Sequence, residues 1–154
     1  MNEWECDMPN PQATVHLGCR IGAQLRGGDV VAMTGALGAG KTTMIRGIGE
    51  HLGAGDMASP TFGIVHEHNI SIGRFLHLDA WRLKGAEDLS ALGWDEWAGN
   101  QDVIVCIEWA DRIATALDGL KPLMVNLHHT ENGRSAVIQW EETSRLATLA
   151  SSGA

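Results

Sequence analysis

The sequence predicts an α/β fold with a mostly parallel central sheet and an antiparallel portion. Two short apolar runs, at residues 30–33 and 103–108, are typical of strands that are buried on both faces. Predicted helices and strands alternate along the first two thirds of the chain, as they do in parallel α/β sheets. Near the end, predicted strands at 123–128 and 136–140 flank Glu131-Asn132-Gly133, which favours a hairpin with a tight primed turn.

The remaining elements follow from apolar spacing and from the residues that end helices. Apolar residues recur at helical spacing over 13–25, where Gly27 and Gly28 end the pattern, and again from Met44 to Leu52, where Gly53 ends it. Paired strands are expected at 63–68 and 74–79, and one or two short helices over 85–99. A last helix is expected to follow the strand at 103–108 and to end near Leu117.

Length and composition indicate one globular domain. The chain has 154 residues, and we expect a single domain over 1–154 with its core at about 12–140 and a frayed or disordered tail at 141–154. Hydrophobic residues make up 44% and charged residues 19%, a balance that does not favour disorder. Eleven basic and 19 acidic residues give a net charge of -8, which argues against autonomous binding of nucleic acid.

The lack of a recognisable targeting signal and the spacing of the cysteines predict a cytoplasmic protein. The first twelve residues carry Glu3, Glu5 and Asp7 without an apolar run, which excludes a secretory signal, and no stretch approaches the ~20 apolar residues of a membrane span. The three cysteines show no Cys-x-x-Cys spacing, so the sequence supports neither a disulfide framework nor a zinc ribbon.

A phosphate-binding loop lies between the first buried strand and the second helix. Gly35-x-x-x-x-Gly40-Lys41-Thr42 matches this loop at every fixed position. Its glycines, Gly38 included, permit the positive φ angles that turn backbone N–H groups toward a polyphosphate. Lys41 would reach the β and γ phosphates and Thr42 would offer its hydroxyl to Mg²⁺. The residues expected to hold the nucleotide are Gly35, Leu37, Gly38, Ala39, Gly40, Lys41, Thr42 and Thr43.

Two carboxylates end predicted strands and could serve the metal. Asp79 closes the strand at 74–79, and Glu108 closes the apolar run at 103–108. Parallel strands bring such residues to one edge of the sheet, beside the phosphate loop. One of the two would bind the metal while the other orients water or supports a ligand, and the residues alone leave open which does which. His77, two residues before Asp79, is expected to give structural support.

Four segments together resemble the TsaE family of small bacterial ATPases. They are Gly-Ala-Leu-Gly-Ala-Gly-Lys-Thr-Thr at 35–43, Ser-Pro-Thr-Phe at 59–62, His-Leu-Asp-Ala-Trp-Arg-Leu at 77–83 and Ile-Glu-Trp at 107–109. The resemblance covers about residues 12–140. Three positions depart from the family's usual residues: Ala36 replaces aspartate, Ala80-Trp81 replaces Leu-Tyr and Ala110 replaces proline.

This resemblance implies a P-loop NTPase fold and a set of site residues. Thr42 and Glu108 would bind Mg²⁺, and Asp79 would be an essential catalytic acid beside Lys41. A switch-like loop near the γ phosphate would comprise Ser59, Pro60 and Thr61. The family works with the TsaB and TsaD proteins, which transfer a threonylcarbamoyl group to an adenosine next to the tRNA anticodon. ATP hydrolysis would support their turnover, and tRNA would meet this chain only through the complex.

Other functions compete with this interpretation. A small-molecule kinase would need a lid with clustered arginines, which the 11 basic residues do not form. A binding module controlled by its nucleotide state, without any need for hydrolysis, is the other alternative. No arginine is placed by the sequence as an arginine finger, so hydrolysis by the chain alone should be slow. Thr14, Asp111 and Arg134 are expected to line the adenosine pocket.

Overall fold

The computed structural model describes residues 2–55 and 64–141. The predicted switch loop, and all but the first residue of the predicted tail, lie outside these ranges. The strands are β1 (Asn2–Met8), β2 (Val30–Gly35), β3 (Val65–Ile70), β4 (Gly73–Asp79), β5 (Val103–Glu108), β6 (Leu123–Thr130) and β7 (Gly133–Trp140). The α-helices are α1 (Pro11–Gln24), α2 (Lys41–Leu52) and α3 (Trp94–Trp97). Shorter 3₁₀ segments lie at Ala80–Arg82, Ala86–Asp88, Ser90–Leu92 and Ala110–Leu117.

Within residues 2–55 and 64–141, seven strands form one sheet in the order β1-β7-β6-β2-β5-β4-β3. The four central strands, β6, β2, β5 and β4, run parallel to one another. Strand β7 pairs antiparallel with β6, and β3 pairs antiparallel with β4. Strand β1 in turn pairs antiparallel with β7. The α/β class and the mixed sheet are therefore confirmed, with parallel pairing confined to the centre. This arrangement brings the carboxyl ends of β2, β4 and β5 to one edge of the sheet.

The sheet is covered on both faces, which gives three layers. On one face, α1 and α2 pack against the sheet through buried apolar residues such as Ile21, Met44 and Ile48. On the other face, the short helical segments bury Leu89, Trp94 and their neighbours against the strands. Within the described residues, no helix is long and apolar enough to cross a membrane.

Glycines let α1 and α2 approach closely. A Cβ atom on Gly18 would lie 2.2 Å from the carbonyl oxygen of Met44, and one on Gly47 would lie 2.2 Å from that of Val15. Real Cβ atoms do not approach backbone at such distances, so any larger residue would force the two helices apart. Two of the chain's 19 glycines, Gly18 and Gly47, therefore serve helix packing, a role distinct from the phosphate loop.

Strand β1 was not predicted, although its pattern is visible in the sequence. Glu3, Glu5 and Asp7 are exposed, whereas Trp4 and Cys6 between them are partly buried. This alternation is typical of an edge strand with one face on the core. Because of β1, the sheet begins at Asn2, before the expected core boundary at about residue 12.

Two local predictions are wrong in detail. The β6–β7 hairpin exists, but Asn132 does not have the positive φ angle that a primed turn requires. The segment after β5 is a 3₁₀ segment with a kink at Ile113 instead of a regular α-helix. The helix ending at Gly53 is confirmed, and that glycine adopts a left-handed conformation with φ of 79°.

Candidate active site

The loop between β2 and α2 forms an open cradle. Gly35, Gly38 and Gly40 have φ angles of 139°, 78° and 106°, in the region that L side chains avoid. A Cβ atom on Gly35 would lie 2.5 Å from the carbonyl oxygen of Leu127, so the fold itself requires glycine there. A Cβ atom on Gly38 would meet nothing within 4 Å, which leaves that side of the loop free for a ligand.

Lys41 begins α2 and turns back over the loop. Its Nζ donates hydrogen bonds to the carbonyl oxygens of Gly35, at 2.7 Å, and Ala36, at 3.0 Å. Only 5% of the residue is exposed. Burial lowers the pKa of Lys41, although the nearby negative charge of Glu108 opposes this effect. The structure therefore holds a largely desolvated amine at the position where the motif needs a cation.

A chain of hydrogen bonds joins the loop to two neighbouring strands. The hydroxyl Oγ1 of Thr42 donates to Oε1 of Glu108 over 2.8 Å. The second carboxylate oxygen of Glu108, Oε2, lies 2.6 Å from Nε2 of His77. His77 and Glu108 are 1% and 6% exposed, respectively. The three side chains come from α2, β5 and β4, so their meeting depends on the parallel register of the central strands.

The electrostatics of this chain keep Glu108 ionised. Burial by itself would raise the pKa of the Glu108 carboxyl. The hydrogen bonds from His77 and Thr42 and the positive charge of Lys41 outweigh that effect and bring the pKa below its ordinary value. Glu108 is thus an anionic oxygen donor near neutral pH, as a hard divalent cation requires.

Asp79 lies directly beside Glu108. Register pairs Asp79 at the end of β4 with Glu108 at the end of β5. Its Oδ1 accepts a hydrogen bond from the backbone N–H of Trp81 at 3.0 Å, which begins the 3₁₀ turn that follows. The structure therefore brings Lys41, Thr42, Glu108 and Asp79 to one place, as the sequence analysis expected of their positions.

A row of aromatic and cationic groups borders the site. Nζ of Lys41 lies 4.0 Å from the ring centroid of Trp109, and that ring lies 4.5 Å from the ring of Trp81. The guanidinium carbon of Arg112 sits 4.3 Å from the centroid of Trp81. Such spacings are typical of cation–π contacts. Trp109 also has a φ angle of 59°, a strained conformation that often marks functional positions.

The three residues expected around the adenosine do not line one common cavity. Arg134 lines the cavity at the phosphate loop, and its Nε donates to the carbonyl oxygen of Gly38 at 3.1 Å. Thr14 is buried, and its Cγ2 would be 3.5 Å from a Cβ atom on Gly40. Asp111 is exposed and lines a second cavity of about 560 Å³. Arg134 and Thr14 thus share one side of the loop, whereas Asp111 lines the other cavity and lies close enough to Lys41 for its charge to oppose the effect of burial, which lowers the pKa of that amine.

Sequence reasoning missed some of these contacts. His77 and Asp79 lie two residues apart on β4, so their side chains are on the same face of the sheet. Strand register pairs Asp79 with Glu108 on β5, which places the Glu108 side chain on that face as well. The two-residue spacing of His77 and Asp79 could therefore have indicated the contact between His77 and Glu108. The contact of Arg112 with Trp81 has no comparable signal, because the two residues lie in separate segments that meet only in the folded chain.

The donor set fits a magnesium ion. In an octahedral Mg²⁺ site the ligand distances of about 2.0–2.1 Å place adjacent ligand oxygens about 2.9 Å apart. The oxygens of Thr42 and Glu108 are already 2.8 Å apart, and one of them is anionic. The cavity next to them has a volume of about 310 Å³ and is lined by the loop, Glu108, Trp109 and Arg134. Phosphate groups bound in the cradle would supply further oxygens.

The fold and the loop define a P-loop-like α/β protein. The family model for "Threonylcarbamoyl adenosine biosynthesis protein TsaE" matches residues 8–138. The chain belongs to the TsaE family, whose role is in tRNA threonylcarbamoyladenosine biosynthesis.

Individual relatives agree with this assignment. A TsaE protein of Streptomyces coelicolor is 42% identical over 100 residues, which cover 62% of this chain and 66% of the relative. A TsaE protein of Nostoc is 36% identical over 109 residues, which cover 69% of this chain and 67% of the relative. The matched segment thus spans about two thirds of each relative. The crystal structure of Bacillus subtilis YdiB is 27% identical, with a TM-score of 0.75 over 98% of this chain and 94% of that one.

Proposed function

We propose that this protein binds ATP with Mg²⁺ and hydrolyses it, as an accessory protein of the cytoplasmic machinery that makes threonylcarbamoyladenosine in tRNA. Its action would be on the TsaB–TsaD complex, whose turnover it supports. The observation that carries the proposal is the contact between Thr42 of the phosphate loop and Glu108, beside a loop whose glycines and lysine form an anion cradle.

Phosphate binding follows from the charges that converge on the loop. Lys41 supplies a cation, and the first turn of α2 directs unpaired N–H groups and the positive end of the helix dipole at the same place. Arg134 lines the cavity as a second cation. In a chain with a net charge of -8, this local concentration of positive groups favours a polyphosphate at the loop over binding of nucleic acid elsewhere.

Hydrolysis would depend on positioning and on neutralisation of charge. Thr42 and Glu108 would hold Mg²⁺, which neutralises the charge that develops on the transferred phosphoryl group. Lys41 would leave its carbonyl partners to contact the β and γ phosphates. Asp79, beside Glu108 at the sheet edge, would orient the attacking water through its carboxylate. Lys41, Thr42 and Glu108 line the cavity, and Asp79 is paired with Glu108 in the strand register. These positions support the roles proposed for the four residues.

We expect slow hydrolysis by the chain alone and a marked increase when TsaB and TsaD are present. An arginine finger contributes roughly 10³–10⁵ to the rate. The arginine that lines the cavity, Arg134, has its Nε bound to Gly38 instead. The measurement is phosphate release from ATP with and without the two partner proteins. Equal rates in the two conditions would contradict the partner-dependent part of the proposal.

The surface around the site suits docking of a protein. Leu37 at the tip of the loop is 85% exposed and Trp81 is 51% exposed. Leu37 lines the cavity and Trp81 stacks on Trp109, which also lines it, so a partner protein that covered the cavity would bury both side chains. The net charge of -8 also fits a chain that meets tRNA only through its protein partners.

Trp109 should report nucleotide binding by its fluorescence. Because Lys41 lies over its ring, movement of that amine toward bound phosphates would change the environment of the indole. We expect ADP to change the emission of the parent protein and of a Trp4→Phe control, since Trp4 lies on the edge strand β1. The Trp109→Phe variant should lose most of the change. An unaltered signal in that variant would show that the assignment to Trp109 is wrong.

A further inference from the structure

The contact between His77 and Glu108 has no part in the mechanism proposed above. His77 lies within β4 and is 1% exposed. Its Nε2 is 2.6 Å from Oε2 of Glu108, whereas Oε1 of the same carboxylate accepts from Thr42 at 2.8 Å. The two carboxylate oxygens therefore have separate partners, one on each side.

The direction of this hydrogen bond follows from the chemistry of the carboxylate. An ionised carboxylate only accepts hydrogen bonds, so Nε2 of His77 must carry the hydrogen. The other ring nitrogen, Nδ1, is buried and has no hydrogen-bond partner within the described part of the chain. A buried polar atom without a partner destabilises a fold, and an apolar side chain of similar size would avoid that cost. Packing alone thus does not account for a histidine here.

The hydrogen bond to His77 restricts how the Glu108 carboxylate can coordinate a metal ion. Because Oε2 is engaged, the carboxylate cannot rotate freely or bind a cation through both oxygens without breaking that bond. Oε1 remains directed at the hydroxyl of Thr42, at a separation that matches adjacent ligands of an octahedral ion. Partners of this kind, which orient a ligand without touching the metal, typically contribute 10- to 100-fold to metal affinity.

We propose that His77 is a positioning residue for the divalent cation: it holds Glu108 so that Oε1 alone, beside Thr42, is presented to the metal. The inference rests on the proposed function in one respect, that a metal–nucleotide complex binds at this loop. The proposal gives His77 a function that follows neither from the phosphate-loop motif nor from the two carboxylates at the strand ends.

The test compares two replacements of His77 that differ in whether they can donate to Glu108. Glutamine places an amide N–H at about the reach of Nε2, whereas leucine fills similar space without a donor. With Mn²⁺ and ADP as the probe, free Mn²⁺ measured by electron paramagnetic resonance should show affinity about 10- to 100-fold weaker for His77→Leu. The His77→Gln variant should bind Mn²⁺ nearly as the parent does. ADP binding measured in EDTA should be the same in all three proteins.

His68→Gln is a matched control. His68 also lies on the sheet and has a buried ring nitrogen without a partner among the described residues, but its ring contacts Phe75. Its Mn²⁺ affinity should equal that of the parent. If the leucine variant does not fold, His77→Asn replaces it, since the shorter amide cannot reach Oε2 and should show the same loss.

Two outcomes would overturn the inference. One is parental Mn²⁺ affinity in the variants that lack the donor, and the other is an equal loss in a folded His77→Gln protein. Failure of the proposed function gives a different result, because the parent itself would then bind neither ADP nor Mn²⁺ with ADP.

Discussion

Replacement of Lys41 by methionine should weaken nucleotide binding by roughly 10- to 150-fold. The substitution keeps an unbranched side chain but removes the ammonium group, which contacts the loop carbonyls and the ring of Trp109. Hydrogen bonds to charged groups contribute about 1.5–3 kcal/mol, which converts to this range of dissociation constants. Isothermal titration with ADP is the direct measurement. The rate of hydrolysis should fall by a larger factor, because the ammonium group would no longer neutralise the negative charge on the transferred phosphoryl group.

Lys84→Met is the matched control for this experiment. Lys84 is exposed and lies outside the cavity, so its replacement changes the net charge equally without removing a group from the site. Its affinity for ADP should stay at the parent value. If both variants lost affinity equally, the effect would come from the overall charge of the protein, and the role assigned to Lys41 would be wrong.

Replacement of Asp79 by asparagine should separate hydrolysis from binding. The amide oxygen can still accept the hydrogen bond from the backbone of Trp81, so the turn after β4 should be preserved. The carboxylate that would orient water is lost, and such groups typically contribute 10²–10⁴ to the rate. We therefore expect single-turnover hydrolysis to fall by about that factor, with ADP affinity close to that of the parent.

This variant also distinguishes an ATPase from a binding module. If hydrolysis is required, Asp79→Asn should fail to support tRNA modification in cells, whereas Asp95→Asn, an exposed acid on α3, should support it. If only the nucleotide-bound state matters, the Asp79 variant should bind its partners and function normally. Normal function together with abolished hydrolysis would contradict the proposed ATPase role.

Local features were predicted best. The phosphate loop depends on a contiguous segment, and its three glycines have the positive φ angles that the motif requires. The strand at 103–108 is confirmed at both ends, because a short, continuous apolar run is typical of a strand that is buried on both faces in the centre of a sheet. The edge strand β1 was missed because its alternation includes only a few apolar residues.

Contacts between distant segments could not be predicted in the same way. The short 3₁₀ segments between β4 and β5 have little periodicity, so the sequence showed only that helical structure occurs there. The pairing of Trp81 with Trp109 and Arg112 depends on how these segments pack over the end of the sheet. The sequence contains these aromatic residues but does not indicate that Trp81 and Trp109 stack on each other.

The sequence by itself determined the phosphate loop, the α/β class and the two strand-end carboxylates, because backbone geometry and hydrophobic periodicity are local properties. Only the tertiary structure decided which atoms meet. Glu108 lies 66 residues after Thr42 and 31 after His77, and it contacts both because parallel pairing aligns β4, β5 and β2 at one edge. Register between strands is a property of the whole sheet, so apolar spacing and strand ends alone did not show which of the two carboxylates contacts Thr42; the folded chain shows that it is Glu108.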